Sequence, residues 1–375
     1  MPLNTSGAIA IGGSTSGQSI NLELGRSATT SSNLNETALR TLAGIASGQI
    51  ALNNFYGKSN LQPVSWTMLI MGGGGGGIEL ALNSYVAGGP SSPFPASIDD
   101  DLWTLPAVSD DDFVPSPNVS SWKGCGGGGG GGLVTTTGTN TGGSLFITVG
   151  AGGSGTSVGG SSSYATTSGG VAVVSASGGG SGAYAGTKNG ASGGGRTSNW
   201  SAVLDTAGTG IAGQGNAGGS TTTSNNSGGG GGKNAGGGAP PSSASPHPGG
   251  TGGTGYDLVN FRGGSSAIVA YGGGGGGNGR LSSSNLSNDG ANGSTTYTTY
   301  TPPANTGGGI RGCTWYSAPL NQANRSRTGG SGRVIVRYAG TTAKATGGNS
   351  TYTATVGGTA YYFHEFTASG TITFT

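Results

Sequence analysis

The sequence is poor in charged residues and in cysteine, and it has no long apolar run. Only 7% of its 375 residues are charged, and the formal net charge is +2. Chains that stay unfolded because of their composition usually combine low hydrophobicity with high net charge, so we expect most of this chain to be ordered. No apolar stretch is long enough to span a bilayer, and the first residues lack the basic and apolar regions of a secretion signal. We therefore expect a soluble protein that is made in the cytosol.

The few charges are unevenly distributed. Through Phe113 the chain has nine acids and three bases, a net charge of −6, and after it four acids and twelve bases, a net charge of +8. Twelve bases spread over that length are too dilute for the clustered positive surface of a nucleic-acid-binding protein. We therefore expect no nucleic-acid partner, although a weak attraction for anionic glycans stays open.

Cysteine and histidine are too few to form a recognisable site. Cys125 and Cys313 make no disulfide framework; they could pair, but we favour free thiols. His247 lies in a proline-rich loop and His364 in a predicted strand, so no spaced pair of metal ligands exists. We predict no metal site at these residues.

The remaining motifs give no support for catalysis. The carboxylates of residues 99–101 and 110–112 could hold calcium, but they lack the alternating ligands and the glycine of an EF-hand loop, so solvated charge is favoured. No GxxxxGK[ST] loop and no GxSxG elbow occurs, and few of the other acids have an informative context for glycoside hydrolysis. We predict no cofactor and no enzymatic activity.

Glycine dominates what is present, with 87 residues and uninterrupted tracts at 72–77, 126–132, 228–232 and 272–277. A collagen triple helix is excluded because glycine does not recur at every third position. Glycine favours neither a conventional strand nor an α-helix. The ordered alternative is the extended threefold helix of the polyproline-II type, which makes no hydrogen bonds within itself. The tracts then predict packed polyglycine-II-type helices that hydrogen-bond to one another, because only glycine lets backbones approach so closely.

Residues 1–60 differ from the rest and predict a small domain of strands and one helix. Alternating apolar residues predict two short strands, at Ile9 and Ile11 and at Ile20, Leu22 and Leu24. Asn33 can cap a helix, and Glu36 can return a bond to the backbone N–H of the cap. Gly44 stands where a left-handed terminator belongs, so the helix should run from Leu34 to Ala43 with Leu39 and Leu42 on its apolar side.

Short apolar phrases between the glycine tracts predict flanking β-strands. The phrases lie at 65–71, 132–137, 144–153, 169–180, 265–271 and 331–338. After residue 339, alternating threonines and the aromatic residues of 361–366 predict further strands, with turns at Gly357-Gly358 and Ser369-Gly370. The expected fold is mainly β and irregular, with an attachment domain at 1–60, a glycine-rich domain at 61–338 and a β-rich segment at 339–375.

Several phrases resemble bacteriophage tail proteins. Residues 19–59, which end in LNNFYGKS, resemble the N-terminal region of phage tail structural proteins, which is thought to attach the polypeptide to the tail. The glycine-rich part resembles phage minor tail proteins and the glycine-rich adhesins at tail-fibre tips, in the phrases 68–77, 146–153, 213–219, 329–338 and 360–374. In the adhesin family, bundled glycine helices carry the loops that choose the host receptor. This chain departs from those adhesins in its N-terminal domain, which leaves open whether it forms a fibre tip, a fibre or a baseplate component.

The resemblance implies a virion tail protein that binds a host surface glycan or an outer-membrane component. Aromatic rings stack on sugars and anchor protein contacts, so the candidate receptor-binding residues lie in the segments between the tracts. They are Trp103, Phe113, Tyr297, Tyr300, Arg311, Trp315 and Tyr316. Other tail proteins would bind through residues 1–60, and fibres are commonly threefold, so we expect a homotrimer. A purely structural tail component and an ice-binding protein are the alternatives, although the irregular tracts argue against the flat, regular face that ice binding needs.

Overall fold

A computed structural model describes residues 2–60, 62–78, 126–184, 186–198, 205–220, 227–240, 249–263, 270–275, 277, 302–310, 312 and 326–375. This part of the chain is mainly β, with two five-stranded antiparallel sheets, few helices and a glycine-rich region. None of its helices is long and apolar enough to cross a membrane.

The N-terminal region has a core of its own. Its helices are α1 (Ile20–Glu23), α2 (Thr37–Ala43) and a 3₁₀ helix (Leu52–Phe55). Six buried residues form the core: Leu3, Ile20, Leu39, Leu42, Ala43 and Phe55. The two predicted strands are wrong. Residues 20–23 are helical. The only β-type pairing in the described part of this region is one parallel bridge between Ala10 and Ser19.

The helix prediction for this region is confirmed at its C-terminus and on its apolar side. Gly44 has φ 73° and ends α2 in the left-handed conformation, and Leu39 and Leu42 are buried. The start is three residues later than predicted, because the Asn33 side chain accepts from the N–H of Asn35 and forms a turn of its own. The expected return bond exists, since Asn33 N–H donates to Glu36 Oε1 at 2.7 Å.

Fourteen strands follow in the described residues. In chain order they are β1 (Val64–Met71), β2 (Gly77–Ile78), β3 (Leu133–Asn140), β4 (Gly143–Thr148), β5 (Ser162–Ala165), β6 (Val174–Ala176), β7 (Tyr256–Asp257), β8 (Ala270–Tyr271), β9 (Ser326–Arg327), β10 (Arg333–Ala339), β11 (Ala345–Thr346), β12 (Ser350–Val356), β13 (Thr359–Phe366) and β14 (Gly370–Phe374). The predicted apolar phrases thus supply β1, β3, β4, β6, β8 and β10.

Two sheets form a sandwich. Sheet 1 has the order β12-β13-β10-β1-β3, and sheet 2 the order β11-β14-β4-β5-β6. Inward side chains of both sheets form one buried cluster, which includes Trp66, Met68 and Val336 from sheet 1 and Ile147 and Ile372 from sheet 2. Successive side chains of a strand point to opposite faces of its sheet, which places one face of each sheet in this core.

The outer face of sheet 1 is partly covered by a third small helix, α3 (Val259–Arg262), together with β7 and β8. Phe261 of α3 and Tyr271 of β8 join a second apolar cluster with Leu69, Ile335 and Phe363. Arginines complete this layer. The guanidinium of Arg337 lies 4.4 Å from the ring centres of both Phe261 and Tyr361, and Arg333 pairs with Glu365 at 2.7 Å.

The C-terminal residues complete both sheets. β13 pairs with β10, β12 pairs with β13, and β14 pairs with β4. The predicted Gly357-Gly358 turn is confirmed, with positive φ at both residues between Val356 and Thr359. The division into three domains stays a prediction.

One buried histidine links β13 to β10 and to the loop after β11. His364 is fully buried, its Nδ1 lies 2.7 Å from Gly347 O, and its Nε2 lies 3.0 Å from the Tyr338 hydroxyl. The Tyr338 oxygen also accepts from the N–H of Lys344. These contacts fit a neutral ring in which Nδ1–H donates and Nε2 accepts. Burial lowers the pKa of His364.

Candidate functional site: a glycine lattice

Glycine segments continue directly from the strands of the sandwich. Segment 72–77 follows β1, 126–132 precedes β3, 177–182 follows β6 and 329–332 precedes β10. We call the whole set the glycine lattice. It comprises residues 72–77, 126–132, 150–153, 157–160, 177–182, 191–196, 208–219, 227–238, 250–253, 272–275, 306–310 and 329–332, which bond to one another through their backbones.

Hydrogen-bond partners repeat every three residues in this lattice. Gly72 and Gly75 both donate to segment 126–132, at 2.9 Å each. Gly73 and Gly76 both donate to segment 157–160, at 2.9 and 3.1 Å, and Gly74 donates to Gly330 O at 2.8 Å. Within 72–77 no backbone N–H donates to another residue of the same segment. The N–H groups of segment 72–77 therefore point in three directions, each towards a different neighbour.

Segment 126–132 lies at the centre of the lattice and contacts six neighbouring segments. Its N–H groups donate in three rows to neighbouring carbonyls: to Gly228 and Gly231, to Ile310 and Gly307, and to Gly180 and Ser177. Its carbonyls accept from three further segments, through the N–H groups of Gly195 and Ser192, of Gly75 and Gly72, and of Gly275. All these bonds join different segments, so the backbone groups of the tract are satisfied only by its neighbours.

The lattice leaves no room for side chains at its inner positions. A Cβ on Gly75 would lie 1.9 Å from Gly180 O, one on Gly127 would lie 1.8 Å from Gly275 O, and one on Gly230 would lie 2.0 Å from Gly128 O. None of these three glycines has a positive φ. Glycine is therefore required here for close approach of backbones and not for left-handed geometry.

Two charged side chains, Lys188 and Asp205, form an ion pair next to the lattice, and Lys188 also donates to lattice carbonyls. Lys188 Nζ donates to Gly182 O at 3.1 Å and to Gly195 O at 2.8 Å, and it lies 3.3 Å from Asp205 Oδ2. Asp205 Oδ1 accepts from the N–H of Thr197 at 2.7 Å. The lysine side chain is only 10% exposed. Nothing in the sequence pattern indicated this contact, because the two residues lie far apart in a stretch without regular spacing.

Hydrogen-bond register defines two ends of the lattice. At one end, Met71, Leu133 and Gly332 lie next to sheet 1. At the other end, Gly127 is level with Gly195 and Gly228, and Gly128 is level with Gly275 and Ile310. We call this second end the distal end.

The distal end is where most connecting segments meet the lattice. The described residues that flank segments 79–125, 199–204, 221–226, 241–248 and 313–325 all lie there. Segment 278–301 also leaves from this end, after Gly277, and the chain is described again from residue 302, near the sandwich end. Connections of very different length therefore share one end of the molecule.

The candidate receptor-binding residues lie outside the described residues. Trp103 and Phe113 belong to segment 79–125, Tyr297 and Tyr300 to segment 278–301, and Arg311, Trp315 and Tyr316 to the stretch that follows Ile310. The same holds for Cys125, Cys313, His247 and the two aspartate triplets. Within the ranges that the structure describes, no three His, Cys, Asp or Glu residues lie close enough to hold a metal ion.

Comparison with known proteins gives one match. No curated protein and no solved structure matches the chain. A family model described as a glycine-rich domain matches residues 118–339, which include the central tract 126–132 and end at the last residue of β10. Because this match covers more than half of the sequence, the chain belongs to the glycine-rich domain family.

Proposed function

We propose that the glycine lattice is a bundle of polyglycine-II helices. The support is the three-residue repeat of hydrogen-bond partners, since a helix with three residues per turn presents every third residue to the same neighbour. The six neighbours around segment 126–132 fit hexagonal packing of such helices. The absence of bonds within 72–77 fits a helix that has no internal hydrogen bonds.

Amide hydrogen exchange tests the bundle. Residues 127–132 donate to neighbouring segments, so their amides should exchange orders of magnitude more slowly than those of the same sequence as a free peptide. The exposed Gly169 in the connection between β5 and β6 forms no backbone hydrogen bond to a described residue through its N–H, so it serves as an internal control and should exchange fast. Exchange of 127–132 at the free-peptide rate would contradict the bundle.

We further propose that this protein is a phage tail fibre or baseplate protein that binds the host cell surface. The observation that carries the proposal is the distal end shared by five connecting segments, because a rigid bundle with most of its connections at one end is suited to presenting recognition loops. The phrases that resemble phage tail proteins and the aromatic residues of these segments give further support. The target would be a surface glycan or an outer-membrane component, bound without chemical reaction.

Attachment to the tail is assigned in this proposal to residues 1–60. This region has its own buried core, and it precedes β1, which starts at the end of the sandwich away from the lattice. A chain anchored there would present the distal end outward. Leu52 and Tyr56, which are 41% and 37% exposed, are apolar side chains suited to contact another tail protein.

Deletion of one connecting segment tests surface binding. Residues 77–78 and 126–127 lie side by side, because Gly75 donates to Gly129 O and the two segments are antiparallel, so a short Gly-Ser linker can replace 79–125. We expect this variant to keep the fold and to lose binding to envelope preparations from susceptible bacteria. Val171→Thr is the control, since Val171 is 92% exposed in the sandwich and should not affect binding.

A purely structural tail component is the alternative function. In that case the wild-type chain would be found in particles but would bind no envelope preparation, and particles carrying the deletion would still adsorb. Labelling of residues 79–125 in intact particles separates the two further. A label at an outward tip supports host binding, and a label enclosed by other tail proteins contradicts it.

A further inference from the structure

The two sheets of the sandwich end in edge strands of very different kind. Sheet 2 ends in β11 and β6, which have two and three residues. Sheet 1 ends in β3 and β12, which have eight and seven residues. Natural proteins protect sheet edges with short strands, charged residues, proline or bulges, because an open edge pairs with other chains. Sheet 2 follows this rule through short strands, whereas the long edges of sheet 1 need another explanation.

The edge formed by β3 has no protecting residue. Its sequence LVTTTGTN contains no charge and no proline, and its register with β1 runs from Leu133 to Asn140 without a bulge. Thr135, Thr137 and Thr139 are exposed. Threonine is among the residues that favour strands most strongly, so this edge favours pairing instead of opposing it.

The backbone groups at this edge can be assigned from bonds at the start of β3. Gly132 O accepts from Gly72 of the neighbouring tract, whereas the N–H of Leu133 donates away from β1, to Gln214 O at 3.3 Å. Backbone groups alternate in direction along an antiparallel strand. The N–H and C=O groups of Thr135, Thr137 and Thr139 therefore point to the open side, and no described residue forms a backbone hydrogen bond with them there.

The described residues leave a depression of about 310 Å³ over the β1–β3 pair, lined by Ser65, Trp66, Thr67, Thr137, Gly138 and Thr139. On β3 the lining runs from Thr137 to Thr139 and includes two of the three outward threonines. The described chain therefore leaves this part of β3 uncovered.

We propose that two copies of this chain pair through β3, antiparallel, about a twofold axis at Thr137. The pattern is self-complementary, because Thr137 meets its own counterpart and Thr135 meets Thr139 of the second copy. The pairing would add about six backbone hydrogen bonds and join the two copies of sheet 1 into one continuous sheet. No charge on β3 opposes the approach of an identical strand, and twofold pairing is the commonest symmetry of homo-oligomers.

The other long edge, β12, is a less suitable partner. Gly263, at the end of α3, lies against it, since a Cβ on that glycine would be 2.9 Å from Thr355 O. The chain therefore already runs past one end of β12. Because β12 is also uncharged and rich in threonine, it provides a matched control for the β3 edge.

This pairing does not depend on the proposed function, and it differs from the homotrimer expected from the sequence. In an antiparallel pair the two lattices point in opposite directions, whereas a threefold assembly about the long axis keeps them parallel. The measured mass distinguishes the two: a pair has twice the 35.8 kDa of one chain.

Sedimentation velocity of the full chain over a concentration series tests the proposal. We expect a dimer for the wild type and a monomer for Thr137→Pro, because proline removes an outward N–H that the ladder with β1 does not use. Thr137→Lys should also give a monomer, since it introduces like charges on the axis. Thr353→Pro on β12 should stay dimeric. Thermal unfolding of each variant shows whether the fold is retained.

Cross-linking tests the register. With Cys125 and Cys313 replaced by serine, Thr137→Cys should form an intermolecular disulfide under mild oxidation, because directly opposed residues of an antiparallel pair lie about 5.5 Å apart. Thr353→Cys should not. A wild-type monomer or trimer, dissociation by Thr353→Pro, or a dimer that survives both folded Thr137 variants would overturn the proposal.

Discussion

Individual glycines serve two distinct purposes in this chain. Gly340 and Gly358 have φ values of 111° and 84° with open space around the Cβ position, so they are required for a left-handed backbone. Gly75 and Gly127 have no positive φ, but a Cβ would meet a carbonyl oxygen at less than 2 Å. Composition alone does not distinguish these purposes, because the residue type is the same in both.

Alanine substitutions distinguish glycines that are required for close approach of backbones from glycines that are not. Gly75→Ala should destabilise the protein by about 3 kcal/mol or more, because the clash is with backbone and no side chain can move aside. Gly236→Ala is the control within the same lattice. Gly236 is exposed, and its nearest contact would be Ala217 O at 3.3 Å.

For Gly236→Ala we expect a change within about 1 kcal/mol, since alanine also restricts the unfolded chain. Urea denaturation of both variants gives the two free energies of unfolding. A destabilisation by Gly75→Ala as small as that by Gly236→Ala would mean that the lattice tolerates Cβ atoms and is not close-packed.

His364 gives the protein a pH dependence near neutrality. Its pKa is lowered from 6.5 by burial, so the folded state holds a neutral ring while the unfolded chain binds a proton as the pH falls below 6.5. The unfolded state then binds more protons, and the free energy of unfolding falls with decreasing pH. The full contribution is present above 6.5 and is lost progressively below it.

His364→Gln should remove this part of the pH dependence while it lowers stability at all pH values. We expect the wild type to lose up to about 1.4 kcal/mol per pH unit more than the variant between about pH 6.5 and 5. Urea denaturation at a series of pH values measures both slopes. Parallel slopes would show that His364 titrates alike in the folded and unfolded states.

At the scale of single elements, short-range patterns predicted those features that depend on local geometry. Gly44 and the Gly357-Gly358 turn were found because left-handed residues and two-residue hairpins need glycine. The strand prediction at 20–24 was wrong because Ile20 and Leu24, four residues apart, also fit one side of a helical turn. Leu24 donates to Ile20 O at 3.0 Å, and the Ser19 hydroxyl accepts from the N–H of Leu22.

The hairpin of β12 and β13 offers a stabilising substitution. Gly357 and Gly358 have φ values of 57° and 84°, the geometry of a type I′ turn, which favours Asn-Gly. Gly357→Asn should stabilise the protein by about 0.5 kcal/mol, because asparagine accepts the left-handed region and restricts the unfolded chain. Gly358→Ala should destabilise it by about 1 kcal/mol. Thermal unfolding measures both, and the same sign for the two would contradict this geometry.

At the scale of the whole molecule, the backbone passes several times between the sandwich and the lattice. The backbone passes between them at β1, β3, β4, β6 and β10, so neither part can open without exposing backbone groups of the other. We expect amides of 66–71 and of 127–132 to exchange with the same free energy of opening, and Gly75→Ala to lower both equally. A lattice that opens at lower free energy while the sandwich stays protected would contradict this coupling.

The candidate site was only partly predictable, because it depends on the tertiary packing of the tracts. The sequence indicated rigid glycine tracts and connecting segments with aromatic residues, but it gave no sign that the flanks of these segments share one end. That arrangement depends on which tract lies beside which, as in the contact of 126–132 with both 72–75 and 307–310. The Lys188 and Asp205 pair follows from the same packing.

The sequence by itself determined that the chain would be mainly β, where its principal strands would lie, and that long glycine tracts could be ordered only by bonding to other backbones. Tertiary structure decided the neighbours: β1 lies between β10 and β3, and one tract lies at the centre of six others. The physical reason is that glycine carries no side chain to specify a partner. The strands that flank each tract carry such side chains, and their packing in the sandwich sets the order and register of the lattice.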